Sequence, residues 1–207
     1  MFAPRSGRWL FGGGALLAGL GAAVVAGWLR GPYVLILLGA LAALWAFLAW
    51  FYRDPERSAG PEIVSPADGR IAFVTEEAGQ LRIAVFMNVT DVHVNRFPMN
   101  ASVEAVEEAG HGFAPAYRAS ARGNVQRRYR LATAFGTVFV IQITGILARR
   151  LVSFVHAGEA HRKGERLGMI VLGSRVDLLV PADRLTAVVR PGDRVVAGVT
   201  PIARERR

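Results

Sequence analysis

The sequence predicts a mainly β chain, a barrel- or sandwich-like domain, preceded by a two-helix transmembrane hairpin. Three observations predict this. The apolar excess is confined to the first 52 residues. Short runs of Val, Ile, Phe and Thr, separated by Gly-, Asp- or Pro-bearing turns, fill the remainder. Few segments beyond residue 52 carry a long amphipathic helical stripe. The 207-residue chain is 52% hydrophobic and 20% charged, with a mean hydropathy of +0.31, which excludes a disordered or collagen-like protein. It has no cysteine, so disulfide scaffolds, thiolate metal sites and cysteine nucleophiles are excluded. The net charge of +9 says that the chain meets anions, not which ones.

The hairpin comes first. Trp9 to Leu29 and Gly31 to Tyr52 are stretches of 21 and 22 residues without a charge. At 1.5 Å per helical residue each spans roughly 30 Å, the thickness of bilayer hydrocarbon. Helices are expected at about 9–29 and 33–52, joined at Arg30-Gly31-Pro32, where Gly ends one helix and Pro starts the next. Ala15, Gly19, Ala23 and Gly27 form a small-residue stripe suited to close helix approach, or are Gly/Ala filler. Trp28, Trp45, Trp50 and Tyr52 fall toward the ends, as interfacial aromatics do. Arg5, Arg8, Arg53 and Arg57 flank the pair while Arg30 alone marks the turn, so both ends are expected in the cytoplasm of a cell (inner) membrane protein.

Residues 53–207 form the second domain, with a net charge of +6. Arg53-Asp54-Pro55 and Ala59-Gly60-Pro61 read as its linker. Strands are expected at 70–74, 81–87, 102–106, 129–135, 137–144, 151–155, 169–172, 176–180 and 185–189, with one short helix at 114–121. The Gly-centred turns of the last third resemble those of biotinyl and lipoyl carrier domains. Lys163, the only lysine, lacks the flanking methionine pattern of such carriers, so the fold hint stands and the carrier function does not.

Titratable candidates are few. His111, His156 and His161 sit in glycine-rich turns and read as solvated. His93 differs, because strand alternation in Asp91-Val92-His93-Val94-Asn95-Arg96 puts Asp91, His93 and Asn95 on one face. Ser65-Pro66-Ala67-Asp68-Gly69 is a turn by its chemistry. Leu172-Gly173-Ser174-Arg175 reads generically as a hairpin, although Gly173 leaves the peptide bond to Ser174 sterically open.

Those fragments, together with Tyr52-Arg53-Asp54-Pro55-Glu56-Arg57, Phe86-Met87-Asn88, Gln142-Ile143-Thr144-Gly145, Ala148-Arg149-Arg150 and Gly168-Met169-Ile170, occur in an order that closely resembles the short, membrane-anchored bacterial and archaeal form of phosphatidylserine decarboxylase proenzyme. The resemblance runs from about Tyr52 to Ala203. It implies a pyruvoyl enzyme that makes its own prosthetic group. Ser174 Oγ attacks the Gly173 carbonyl, the amide becomes an ester, and elimination across Cα–Cβ of Ser174 cuts the chain. The dehydroalanine left behind hydrolyses to a pyruvoyl group at position 174. A large chain, 1–173, and a small chain, 174–207, are the expected products and mutual partners. Asp68 and His93 are the expected groups for activating Ser174 and moving protons. The ketone then acts as the electron sink for loss of CO2 from phosphatidylserine, giving phosphatidylethanolamine.

Longer members of the family carry a second histidine three residues after the first. Here that position is Arg96, so the division of labour between two histidines does not transfer, and His93 serves both steps or shares them with a group such as Asp91. The family's Asn-Glu-Arg stretch survives only as Asn124-Val125-Gln126-Arg127. Arg96, Arg149, Arg150 and Arg175 are the expected cations for substrate phosphate and carboxylate, and Arg149-Arg150 is equally a strand end facing anionic headgroups. Neither a metal site nor a nucleic-acid partner is expected, and oligomeric state is left open. The rival readings are a serine hydrolase using Ser174, His93 and Asp68, a related decarboxylase acting on an ether-lipid serine headgroup, and a basic membrane-bound binding module.

Overall fold

A computed structural model describes the chain except for residues 1, 5, 113, 117–120, 122, 146–149, 172, 173 and 207. Arg5, Arg149, Gly173 and much of the helix expected at 114–121 therefore lie outside the described residues. Strand makes up 43% of the chain and helix 21%, so the mainly β class holds. The chain divides into two compact units, Met1–Pro55 and Glu56–Arg207.

The first unit is built from α1 (Gly7–Val25) and α2 (Pro32–Phe51). Helix α1 stops four residues before the expected Leu29. Gly27 adopts φ +77°, the Trp28 N–H bonds to the Ala23 carbonyl and the Gly27 N–H to the Val24 carbonyl. This pair of bonds around a left-handed glycine terminates a helix. Pro32 opens α2 at a position where its missing N–H costs nothing. The two helices meet through Trp45, whose Nε1 donates to the Leu10 carbonyl at 2.9 Å and whose ring lies over Gly13 and Gly14. Close approach thus falls at Gly13 and Gly14. A Cβ at Gly19, in the expected stripe, would meet nothing within 4 Å. Phe11, Leu16, Ile36 and Tyr33 stay exposed, and both helices are long and apolar enough to cross a membrane. An apolar exterior of this kind points to membrane association.

The second unit holds fourteen described strands: β1 (Ile63–Val64), β2 (Gly69–Glu77), β3 (Gln80–Met87), β4 (Val94–Arg96), β5 (Ala101–Ala109), β6 (Gln126–Thr133), β7 (Gly136–Thr144), β8 (Arg150–Ser153), β9 (Ala160–His161), β10 (Arg166–Val171), β11 (Ser174–Pro181), β12 (Leu185–Ala187), β13 (Arg194–Val195) and β14 (Pro201–Glu205). They form an eight-stranded sheet, β13-β2-β3-β11-β7-β6-β5-β9, and two three-stranded sheets, β4-β10-β8 and β1-β14-β12. In the large sheet β11 lies between β3 and β7, antiparallel to both. Alternation sends Val176, Leu178 and Val180 into the main core beside Val85, Ile83 and Leu81 of β3. The opposite face packs Leu179 with Ile141 and Ile143.

Two glycines set the sheet packing. At Gly168 of β10 a Cβ would lie 2.6 Å from the Val152 carbonyl oxygen and 2.7 Å from the Tyr129 hydroxyl, so the bare backbone lets the β4-β10-β8 sheet rest on the large one. Gly69 has φ +144° and passes so close to Phe86 that a side chain would strike its carbonyl. The hairpin read at 172–175 includes Leu172 and Gly173, which lie outside the described residues. Strands β10 and β11, on either side of it, belong to different sheets.

Candidate active site

Ser174 is the first residue of β11, paired with Met87 on one side and Thr144 on the other, and fully buried. Its Oγ donates to the Met87 sulfur at 3.4 Å, the one hydrogen-bonding contact of this hydroxyl among the described residues. A thioether is a weak acceptor, so the hydroxyl is held in place without being bound tightly.

The same sulfur takes a second donor, Asn95 Nδ2, at 3.7 Å. Asn95 Oδ1 accepts from Gln142 Nε2 at 2.7 Å, and Gln142 Oε1 accepts from the Tyr129 hydroxyl at 3.1 Å. Every member of this row is buried, and it runs from Ser174 across the interior face of the large sheet. Burial pushes the Tyr129 phenol up from its ordinary 10.0. The Gln142–Asn95 bond fixes which end of the Asn95 amide faces the sulfur, because Oδ1 is already occupied by a donor. Asn95 and Gln142 stood in quoted motifs, but 47 residues separate them and no spacing rule connects them.

His93 is buried just before β4. Its Nδ1 lies 2.9 Å from the Asp91 carbonyl oxygen. A carbonyl only accepts, so the proton sits on Nδ1, and a neutral ring carries its lone pair on Nε2, the form a general base requires. Asp91 engages through its backbone here; its carboxylate accepts from the Asn88 N–H at 2.8 Å.

Asp68 precedes Gly69, which packs against the Phe86–Met87 backbone. Its carboxylate is already taken. Arg57 donates to both oxygens, at 2.5 and 2.8 Å, and the Ala197 N–H donates to Oδ1 at 2.8 Å. The Ser65–Gly69 turn is pinned further by the Arg96 N–H on the Pro66 carbonyl, which ties it to β4.

The expected substrate cations separate. Arg175 follows Ser174 on a strand, so it points to the other face, where it is fully buried, pairs with Asp177 at 2.7 Å and lies over the Phe73 ring. Arg96 is buried and donates to the Gly164 carbonyl at 2.9 Å. Neither is presented to a ligand on the Ser174 face: β-strand alternation decides the first and the Gly164 turn the second. Arg150 is exposed at the start of β8, opposite Val171 of β10. His161 corrects the reading of a solvated turn residue, because it stacks on Phe97 at 4.7 Å and meets Glu159 and Glu165.

Asn124, given little weight by sequence, bridges loop and sheet. It bonds both backbone groups of Ala114 and donates to the Thr144 carbonyl at 2.6 Å, at the residue paired with Ser174. A cleft of about 690 Å3 beside Phe135 and Lys163 is not the site, because Phe135 sits in the β6–β7 turn at the Pro181 end of β11.

Comparison with known proteins decides the family. The family model described as phosphatidylserine decarboxylase matches residues 44–203. The chain belongs to the phosphatidylserine decarboxylase family. It is therefore a decarboxylase of phospholipid biosynthesis. Similar relatives include the phosphatidylserine decarboxylase proenzyme of Solibacter usitatus, 43% identical over 91% of this chain and 92% of the relative. That of Streptomyces coelicolor is 41% identical over 79% and 75%. A Halobacterium salinarum protein that bears the name of an archaetidylserine decarboxylase proenzyme is 45% identical over 78% and 83%.

Proposed function

We propose that the chain cuts itself between Gly173 and Ser174, converts Ser174 to a pyruvoyl group, and decarboxylates phosphatidylserine to phosphatidylethanolamine and CO2 at a membrane. The observation that carries this reading is Ser174 itself: a fully buried hydroxyl, on the strand that opens where the chain changes sheets, whose contact is a weak thioether acceptor. These surroundings suit the group. Position 174 is walled by Met87 and Thr144, so a ketone there is shielded from bulk water.

In the cleavage step Ser174 Oγ bonds to the Gly173 carbonyl carbon, the Gly173–Ser174 C–N bond breaks, and the hydroxyl proton passes to a base. His93 supplies that base through Nε2, its Nδ1–H anchored on the Asp91 carbonyl. Elimination releases the Gly173 carboxylate, and hydrolysis of the new N-terminus releases ammonia. Asp68 acts through geometry, its carboxylate bound by Arg57 and the Ala197 N–H so that the Ser65–Gly69 turn holds its place beside Met87. The pyruvoyl group supplies the electron sink for CO2 loss. The row Met87–Asn95–Gln142–Tyr129 orients the residues around it, and His93 returns a proton to the product.

The small chain, 174–207, remains with the large one. It contains β11, bonded on both edges to β3 and β7, and β14, bonded to β1. The helical hairpin keeps the domain on the cytoplasmic face of the cell membrane, a reading supported by Arg8 and Arg53 at its ends against Arg30 in its turn.

The test is an intact mass of the purified protein, with and without Ser174→Ala. Two chains, the smaller one reactive with hydroxylamine, are expected from the natural sequence and one uncut chain from the variant. A whole, carbonyl-free protein that still decarboxylates its lipid would overturn the reading. Parallel assays on the diacyl and ether-linked serine lipids separate this activity from the one named for the Halobacterium relative.

A further inference from the structure

We propose that Arg175 is a positioning residue that holds position 174 in register once the chain is cut. This rests on the self-processing reading above and names the groups that keep its product in place. The chemistry of the cut sets the need. The Ser174 nitrogen leaves as ammonia, its hydroxyl oxygen leaves in the Gly173 carboxylate, and water supplies the ketone oxygen. Position 174 then has no N–H, no hydroxyl and no covalent tie to residue 173. A chain end in this state frays unless neighbouring groups tie it down. Arg175 is the first residue of the small chain that keeps both its N–H and a side chain able to donate.

That side chain is fixed on the face away from Ser174. Its Nε donates to Asp177 Oδ1 at 2.7 Å and Nη2 to Oδ2 at 3.2 Å, while Nη1 donates to the Ala116 carbonyl at 3.0 Å. The guanidinium also lies 5.2 Å from the centre of the Phe73 ring. Arg82 brings a second cation to Asp177 Oδ2 at 2.7 Å. Arg175 and Asp177 are both fully buried. Well-packed apolar residues in place of a buried ion pair are often as stable or more so, which means that stability does not explain this cluster. What the charges add is direction, because a planar fork bonds in one orientation.

A second anchor acts from the neighbouring strand. Ser174 pairs with Thr144 of β7, and Asn124 donates to the Thr144 carbonyl at 2.6 Å. Asn124 also bonds both backbone groups of Ala114, two residues before the Ala116 that Arg175 engages. The 114–116 stretch is thus tied to β11 directly and to β7 through Asn124. Ala116 and Arg82 belong to the large chain and Arg175 and Asp177 to the small one. The cluster therefore joins the two chains one residue beyond the cut.

The experiment uses the full-length protein in detergent with dihexanoyl phosphatidylserine. Arg175→Lys keeps a cation beside Asp177 and loses the fork. Cutting is scored first on a denaturing gel. Expected is a variant that cuts itself and keeps the natural KM, with kcat lowered about tenfold or more, because misplacing a reacting group slows the chemistry. Hydrogen exchange of the β11 amides is then compared with that of uncut Ser174→Ala and Ser174→Ala/Arg175→Lys chains. The Lys substitution is expected to speed exchange about tenfold in the cut protein and to leave it unchanged in the uncut one. A natural kcat in the cut variant would overturn the role. So would equal loosening of cut and uncut chains, which marks general packing, or a folded variant that stays whole. Should Arg175→Lys not fold, Arg82→Gln decides, since that side chain is 17% exposed. A lower kcat at natural KM is expected there, and an unchanged kcat overturns the role. If the natural protein itself stays whole, the self-processing reading fails and this role falls with it; a cut natural protein beside an unaffected variant removes Arg175 alone.

Discussion

Ser174 Oγ donates to the sulfur of Met87 at 3.4 Å, and Asn95 Nδ2 converges on the same atom. A strong acceptor at this point would bind the hydroxyl and raise the barrier to its attack on Gly173. A thioether leaves it oriented and available. Met87→Leu keeps the volume and costs less than about 1.5 kcal/mol, so the variant is expected to fold and to cut itself within a few-fold of the natural rate. Met87→Gln places an amide oxygen beside the hydroxyl and is expected to slow cutting at least tenfold. Rates are read from appearance of the small chain after cell-free synthesis. Equal rates for the Gln variant and the natural chain would show that acceptor strength at Met87 is irrelevant.

Asp68 and Arg57 form a bidentate pair with side chains only 13% and 10% exposed. Removing one partner of a mostly buried pair leaves the other uncompensated, which costs about 3 kcal/mol. Asp68→Asn is therefore expected to lower stability by about that amount in urea unfolding. Arg57→Gln should do the same, and the double variant should cost less than the sum. If Asp68→Asn blocked cutting with stability intact, Asp68 would be a proton carrier and not the anchor of its turn.

Much of this fold is readable from periodicity because long strands repeat their pattern. Strands β2, β3, β5, β6, β7 and β11 all overlap the expected runs. Strands β1, β9 and β13 have two residues each, too few for alternation to register. The end of α1 was misjudged because hydropathy continues through Gly27 while the backbone turns left-handed there. In the site, Ser174 and His93 lie in recognisable motifs. The commitment of Asp68 to Arg57 does not show, since Arg57 reads as one of the basic residues flanking the hairpin. Asn124 was undervalued because three of its bonds go to backbone groups, which leave no side-chain pattern in the sequence. Arg175 reads from sequence as a substrate cation, yet it shares a strand face with Asp177 and pairs with it on the side away from Ser174.

Gly168 and Tyr129 mark a close approach of two sheets. A Cβ at Gly168 would sit 2.7 Å from the Tyr129 hydroxyl and 2.6 Å from the Val152 backbone oxygen. The hydroxyl can shift, but the backbone is held by the β8–β10 ladder. Gly168→Ala is thus expected to destabilise by about 1–3 kcal/mol through overpacking. Tyr129→Phe, which removes the nearby oxygen, relieves only the hydroxyl clash and leaves the Gln142 acceptor without its donor. The Gly168→Ala/Tyr129→Phe pair should therefore remain less stable than the natural chain. Thermal unfolding of the single and double variants checks this, and a fully rescued double variant would contradict the backbone clash.

Glu159 organises an exposed turn. It accepts from the His156 N–H at 2.9 Å and meets the His156 and His161 rings at 3.2 Å, while His161 also faces Glu165 at 2.9 Å. The backbone bond, followed by His161 and His156, pulls the Glu159 carboxyl from 4.5 down to about 2. Glu165 is lowered too, chiefly by His161. A carboxyl with a depressed folded-state value binds protons more readily when unfolded. Its stabilising share is therefore complete above pH 4.5 and disappears as the pH falls toward about 2. The stability difference between the natural chain and Glu159→Gln should accordingly be present at pH 4.5, shrink through this window and vanish below it. A carboxyl-resolved NMR titration of Glu159 should give a midpoint near 2; a midpoint at the ordinary value would remove the turn's dependence on this side chain.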